Sequence, residues 1–163
     1  MKKLMLFALS FAVLTFAASL AFADQKNLFH IERNKNANIV VYDVVLNPDG
    51  TINSKNPIDA YWKLLAKDGS RAELGMLDKR AYGFSVTDLG EGAYELRLKA
   101  VEGKPIKVTL VNGEPKGILK INDRDAYLNK VYVFASGISV KYYTLTGTDV
   151  STGQTIEEKV DND

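Results

Sequence analysis

Between residues 93 and 111 the chain alternates apolar and polar side chains with a period of two. Tyr94, Leu96 and Leu98 stand against Glu95, Arg97 and Lys99, and Ile106, Val108 and Leu110 stand against Lys107 and Thr109. Neighbouring residues of a strand point to opposite faces, so each run predicts a strand with one buried and one wet side. The flanking Val101-Glu102-Gly103-Lys104 and Asn112-Gly113 segments carry turn chemistry, and Asn-Gly is a strong hairpin signal because both residues tolerate positive φ. Antiparallel pairing follows. The same reading predicts strands at about 28–33, 38–46, 58–65, 82–88, 93–100, 105–111, 117–121, 126–135, 139–146 and 154–160. Gly147 is expected to close the strand before it, and Ser151-Thr152-Gly153 to turn into a terminal hairpin. The polar loop from Asn47 to Asn56, with Pro48 and Asp49-Gly50, is expected to join 38–46 and 58–65 as hairpin partners. Only Ser70 to Arg80 resists a strand reading. Leu74 and Leu77 lie three apart among Arg71, Glu73, Asp78 and Lys79, which predicts a short helix, weakened by Gly75.

Many short strands place the chain in the all-β class: a single antiparallel β-barrel or sandwich of about 8–10 short strands with one short helical segment. Closure into a barrel would remove the edges that unpaired strands expose. Two strands depart from simple alternation, because Ile39 to Leu46 and Val131 to Ala135 are apolar on nearly both faces. Their outer sides therefore need a cover, from the Ser70 to Arg80 segment, the other sheet or a partner subunit.

Residues 1–23 follow another pattern. Lys2-Lys3 precede an uncharged apolar run from Leu4 to Leu20, and Ala21-Phe22-Ala23 closes it. This is the order of a secretory signal peptide cleaved after Ala23. Residues 24–163 then form a single β-rich domain in the periplasm or secreted, with no membrane span after cleavage and no Cys for a lipoprotein anchor. Without Lys2 and Lys3, 19 basic residues face 20 acidic ones. That balance gives no basic field for nucleic acid. With no cysteine and one histidine, disulfides, thiolate catalysis and the usual zinc sites are excluded, and no cofactor or metal is expected. All eight tyrosines, the one tryptophan and three phenylalanines remain after residue 23, a composition that suits half-buried strands.

Few residues in this framework suggest chemistry. His30 is in phase with Glu32 and opposite Phe29 and Ile31, hence on a polar face, without a nucleophile to serve. Asp43 interrupts the apolar register Ile39, Val41, Val45, and Asp59 precedes Tyr61 and Trp62. If 38–46 and 58–65 are hairpin partners, Tyr42, Asp43, Asp59, Tyr61 and Trp62 fall on adjacent strands. They read either as a ligand surface with aromatic platforms or as a carboxylate pair of a glycan hydrolase. The alternative for Tyr42 and Trp62 is plain core. Lys79, Arg80 and Tyr82 form a second candidate, a basic pair at a barrel mouth that would clamp an anion. The loop Asp49 to Asn53 lacks the spacing and closing Glu of a calcium loop, and the chain has no G-x-S-x-G, P-loop or dinucleotide fingerprint.

The segments Leu28-Phe29-His30-Ile31-Glu32-Arg33-Asn34-Lys35-Asn36, Ile39-Val40-Val41-Tyr42, Asn56-Pro57-Ile58-Asp59-Ala60-Tyr61-Trp62 and Ala81-Tyr82-Gly83 resemble a family of exported bacterial domains, domain of unknown function 4833. The resemblance implies an exported, single β-rich domain and brings no activity, cofactor or catalytic residue. Three functional readings follow. The first is a non-enzymatic envelope protein that binds a small molecule or a protein partner, with Tyr61 and Trp62 near the surface it uses. The second is a glycan-directed hydrolase using Asp43 and Asp59. The third is a structural subunit that covers its apolar strands as a homo-oligomer.

Overall fold

The computed structural model describes residues 24–136 and 139–162, so the segment read as an export signal lies outside the described residues. In chain order the elements are β1 (Asp24–Arg33), β2 (Asn36–Leu46), β3 (Ile58–Lys63), β4 (Arg71–Glu73), α1 (Met76–Ala81), β5 (Phe84–Gly90), β6 (Ala93–Leu98), β7 (Ile106–Val111), β8 (Glu114–Ile121), β9 (Arg124–Ser136), β10 (Ser139–Asp149) and β11 (Thr155–Asp161). The expected class, all-β with one short helix, is the class observed. The β2–β3 hairpin across the long loop also forms, with Val40 opposite Trp62 and Asp43 opposite Asp59. At Asn112-Gly113 φ is 53° and 78°, the two positive values that a tight β7–β8 hairpin needs.

The strands make one sheet along the path β4-β3-β2-β1-β9-β8-β7-β6-β5, and β10 joins β9 to β11. β9 forks this sheet. Arg124 to Tyr127 pair antiparallel with β8, whereas Lys130 to Val133 pair in parallel with His30 to Arg33 of β1. The opposite edge of β9 is occupied by β10. The two arms of the fork fold toward each other into a curled half-barrel and enclose one apolar cluster. A bulge between Asn27 and Phe29 turns consecutive residues inward, so Leu28 and Phe29 are both buried. Phe29 stacks on Tyr42 at 4.8 Å, and the space beside Leu28 exists because Gly117 has no side chain there.

Several expectations need correction. Residues 70–80 are not one helix: β4 takes 71–73, Leu74 is buried before the helix begins, and Leu77 is 74% exposed. The spacing of those leucines reflects a strand exit followed by a helix that buries no residue. Gly147 does not end its strand. It lies inside β10 opposite Leu128, at a register shift, where a Cβ would meet the Tyr127 carbonyl at 2.7 Å. The outer apolar residues of β2 are covered within the sheet: Val41 and Val45 are buried, with His30 and Tyr61 opposite Val41 and Gln25 opposite Val45. Among the described residues no helix is long and apolar enough to cross a membrane.

Two carboxylates brace the end of the β8–β9 arm. Asp149 accepts the backbone N–H groups of Ser151 (2.8 Å) and Thr152 (2.9 Å) and pairs with Arg124 at 3.1 Å. The Thr152 and Ser151 amides, helped by the Arg124 charge, hold its carboxyl below the usual aspartate range. Burial pushes the Glu158 carboxyl up, but the Lys104 ammonium at 2.6 Å and the Asn122 N–H bring it below its ordinary value. Carboxyls lowered by folding stabilise the native state fully above their unfolded-state values and lose that contribution as pH falls through the folded ones. The thermal midpoint should therefore stay level from pH 7 to about 5 and fall below that. Circular dichroism melts should show a shallower acid decline for Asp149→Asn, and an unchanged decline would remove Asp149 from this account.

Candidate functional site

The two ends of the hydrogen-bonded path, β4 and β5, are consecutive strands joined through α1. Gly75 opens the helix, with its N–H donated to the Asp78 carboxylate at 3.0 Å, and the Tyr82 N–H closes it on the Asp78 carbonyl at 2.7 Å. A side chain at Gly83 would collide with the Lys79 carbonyl. Because α1 buries nothing, Tyr82 fixes its position. The Tyr82 ring meets Trp62 edge-on at 5.3 Å, and its carbonyl accepts the Tyr42 hydroxyl at 2.6 Å. Its own hydroxyl accepts from Arg33 at 3.5 Å.

Beside this anchor lies a cleft of about 570 Å³, within the range of small-ligand sites. Tyr82, Val133, Ala135, Val140 and Ala100 give it an apolar lining, and Leu77 and Ala81 of α1 form part of its wall. Among the described residues its cations are Arg33, Arg80 and Lys99, and its one carboxylate is Glu102. The three cations form no ion pair among the described residues, although nine Lys or Arg pairs with carboxylates exist elsewhere among them. Arg33 is bonded to a neutral phenol and Lys99 to the Lys79 carbonyl at 3.3 Å. Uncompensated positive charge over an apolar floor suits an anion with an apolar body.

A separate polar surface covers the outside of β1 to β4. Asp43 and Asp59 are direct cross-strand partners, so their side chains share a face. Asp43 accepts from Asn27 at 3.1 Å and from the Tyr61 hydroxyl at 2.8 Å. Asp59 accepts from Gln25 at 2.9 Å and pairs with Arg71 at 2.9 Å. Arg71 also lies 4.1 Å over the Tyr61 ring. Burial, the hydrogen bond to Asp43 and that carboxylate's charge push the Tyr61 phenol up to about 12, against the pull of Arg71. Tyr61 is thus a proton donor that keeps its proton. Asp43 lines a hollow of about 340 Å³ together with His30 and Lys63. Asp59 opens instead to a hollow of about 420 Å³ with Lys79 and Lys99.

The residues singled out from sequence are thereby sorted into three places. Tyr42 and Trp62 face the interior; burial, with Tyr82 nearby, drives the Tyr42 phenol far upward. Asp43, Asp59 and Tyr61 share the outer face, where Asp43 and Tyr61 line one hollow and Asp59 another. Arg80 and Tyr82 line the large cleft, and Lys79 lines the hollow on another side of α1. Arg33, Lys99 and Glu102 were not marked by sequence. Each ends or follows a strand, and only the pairing of β1 with β9 and the return of β5 onto β6 bring them to one mouth. His30 lies as expected on the polar side, 3.2 Å from Glu32.

No curated protein and no solved structure matches the chain. A family model described as Domain of unknown function (DUF4833) matches residues 29–159, a span from the first core strand to the last strand that includes the cleft residues Arg33, Arg80, Tyr82 and Lys99. The chain belongs to this family.

Proposed function

We propose that the chain is an exported envelope protein whose β-domain binds a small anion with an apolar body in the cleft beside α1. The observation that carries this reading is the set of three cations, Arg33, Arg80 and Lys99, without carboxylate partners among the described residues, at the rim of an apolar-lined cleft. Arg80 and Lys99 are exposed and Arg33 is half-buried, so these charges are hydrated, and an anion seated on the apolar lining would exchange that water for charge-assisted hydrogen bonds. The signal-like sequence of residues 1–23 supports export. Binding is favoured over glycan hydrolysis because Asp43 and Asp59 are committed to Asn27, Tyr61, Gln25 and Arg71 and open to different hollows. A hydrolytic pair must flank one bond in one cleft.

Trp62 is the single tryptophan and touches Tyr82, so its fluorescence reports on the cleft. Titration with octyl sulfate below its micelle concentration should give a saturable one-to-one change. Arg33→Gln and Arg80→Gln should each weaken it by about tenfold, the worth of one charge-assisted hydrogen bond. No saturable change, or wild-type affinity in both variants, would refute the assignment.

A further inference from the structure

We propose that the preferred ligand of this cleft is a phosphate monoester of an apolar alcohol, held as its dianion. The proposal rests on the anion-binding reading above and narrows it to one chemical class. Charge is the first argument. Among the described residues, three cations and the single carboxylate Glu102 leave the lining with two net positive charges, which a dianion cancels. A carboxylate or sulfate monoester would leave one of these charges without a counter-charge.

Donor geometry is the second argument. Arg33 comes from the end of β1, Arg80 from α1, and Lys99 from the residue following β6, so donors approach from three elements. Three terminal phosphate oxygens can each take one of these donors, whereas a carboxylate offers two oxygens. Guanidinium groups match phosphate bidentately and the ammonium acts as a point charge. The Arg33 fork is already oriented by the Tyr82 hydroxyl at 3.5 Å. Across the cleft, β9 and β10 present Val133, Ala135 and Val140, and β11 is followed by the neutral Asn162. Bare inorganic phosphate would leave that apolar wall facing water, but an ester's alkyl group would cover it.

The test compares octyl phosphate with octyl sulfate, which has the same tail and a permanent single charge, by Trp62 fluorescence between pH 5 and pH 8. The second phosphate ionisation lies near 6, so octyl phosphate should tighten by about tenfold across this interval while octyl sulfate stays level. Any titration of the protein itself would move both esters together. At pH 8 octyl phosphate should bind about tenfold more tightly than octyl sulfate and than inorganic phosphate. Arg80→Gln, with unchanged circular dichroism, should erase most of the preference over sulfate. Equal binding of the two esters at pH 8 would overturn the dianion while leaving an anion-binding cleft. Inorganic phosphate binding as tightly as octyl phosphate would overturn the monoester assignment. Failure of both esters to bind would overturn this proposal and the reading beneath it.

Discussion

Replacing Phe29 by alanine should remove about 3–5 kcal/mol from the free energy of unfolding, the cost of truncating a fully buried aromatic side chain. Phe29 is 0% exposed and stacks on Tyr42 with planes 19° apart. Its strand is also the one that joins the β2 side of the sheet to β9. The ring therefore sits at the hinge of the fork, where neighbouring backbone is tied by ladders on both edges and cannot collapse into the void. Against a typical stability of about 5–15 kcal/mol, this variant would retain little reserve. Urea denaturation measures it directly: the midpoint should fall steeply with little change in slope. A loss below about 1 kcal/mol would mean that this part of the core repacks freely, contrary to the constraint described.

Gly147→Ala should cost about 1–3 kcal/mol by forcing extra volume into a filled space. The added carbon would stand 2.7 Å from the Ile121 methyl, 2.7 Å from the Tyr127 carbonyl and 3.2 Å from the Ala126 side chain. Ile121 can turn aside. The Tyr127 carbonyl belongs to the stretch of β9 bound to β8 on one side and β10 on the other, so it yields only by distorting a ladder. Gly117→Ala provides the comparison, since its new carbon meets only side-chain atoms of Ile106 (3.0 Å) and Leu28 (3.4 Å). Parallel urea curves should place Gly147→Ala below Gly117→Ala in stability. The reverse order would show that the bulge in β10 is softer than its contacts imply.

The legible parts of the fold were those where a local rule acts alone. β6 and β7 have one wet face, so their polar and apolar positions alternate visibly, and Asn112-Gly113 marks its own turn. Asn122 and Asp123 make a comparable turn with φ of 47° and 61°, but neither residue is glycine and the signal was correspondingly weaker. β4 is three residues long, too short to show a period, so its residues run into the Leu74 and Leu77 spacing that suggests a helix.

The same distinction governs the cleft. Arg80 and Tyr82 lie two residues apart and were visible as a motif. Arg33 and Lys99 are 66 positions apart and meet through topology, which no local pattern records. The hairpin of β2 and β3 is legible from its loop, and it sets Asp43 opposite Asp59. Alternation alone then separated them and Tyr61 from Tyr42 and Trp62, because odd and even positions of β2 and β3 point to opposite sides.

The parallel ladder between β1 and β9 pairs His30 with Lys130, so the first strand of the fold has to wait for a partner a hundred residues downstream. Closing so long a loop is entropically slow, and sheets dominated by such contacts form over milliseconds to seconds. Until β9 is available, β1 to β3 can pair only with one another and with β4, and the apolar cluster they share with β8 to β11 stays incomplete. Folding of this domain is therefore expected to be limited by the meeting of its two ends rather than by its local hairpins.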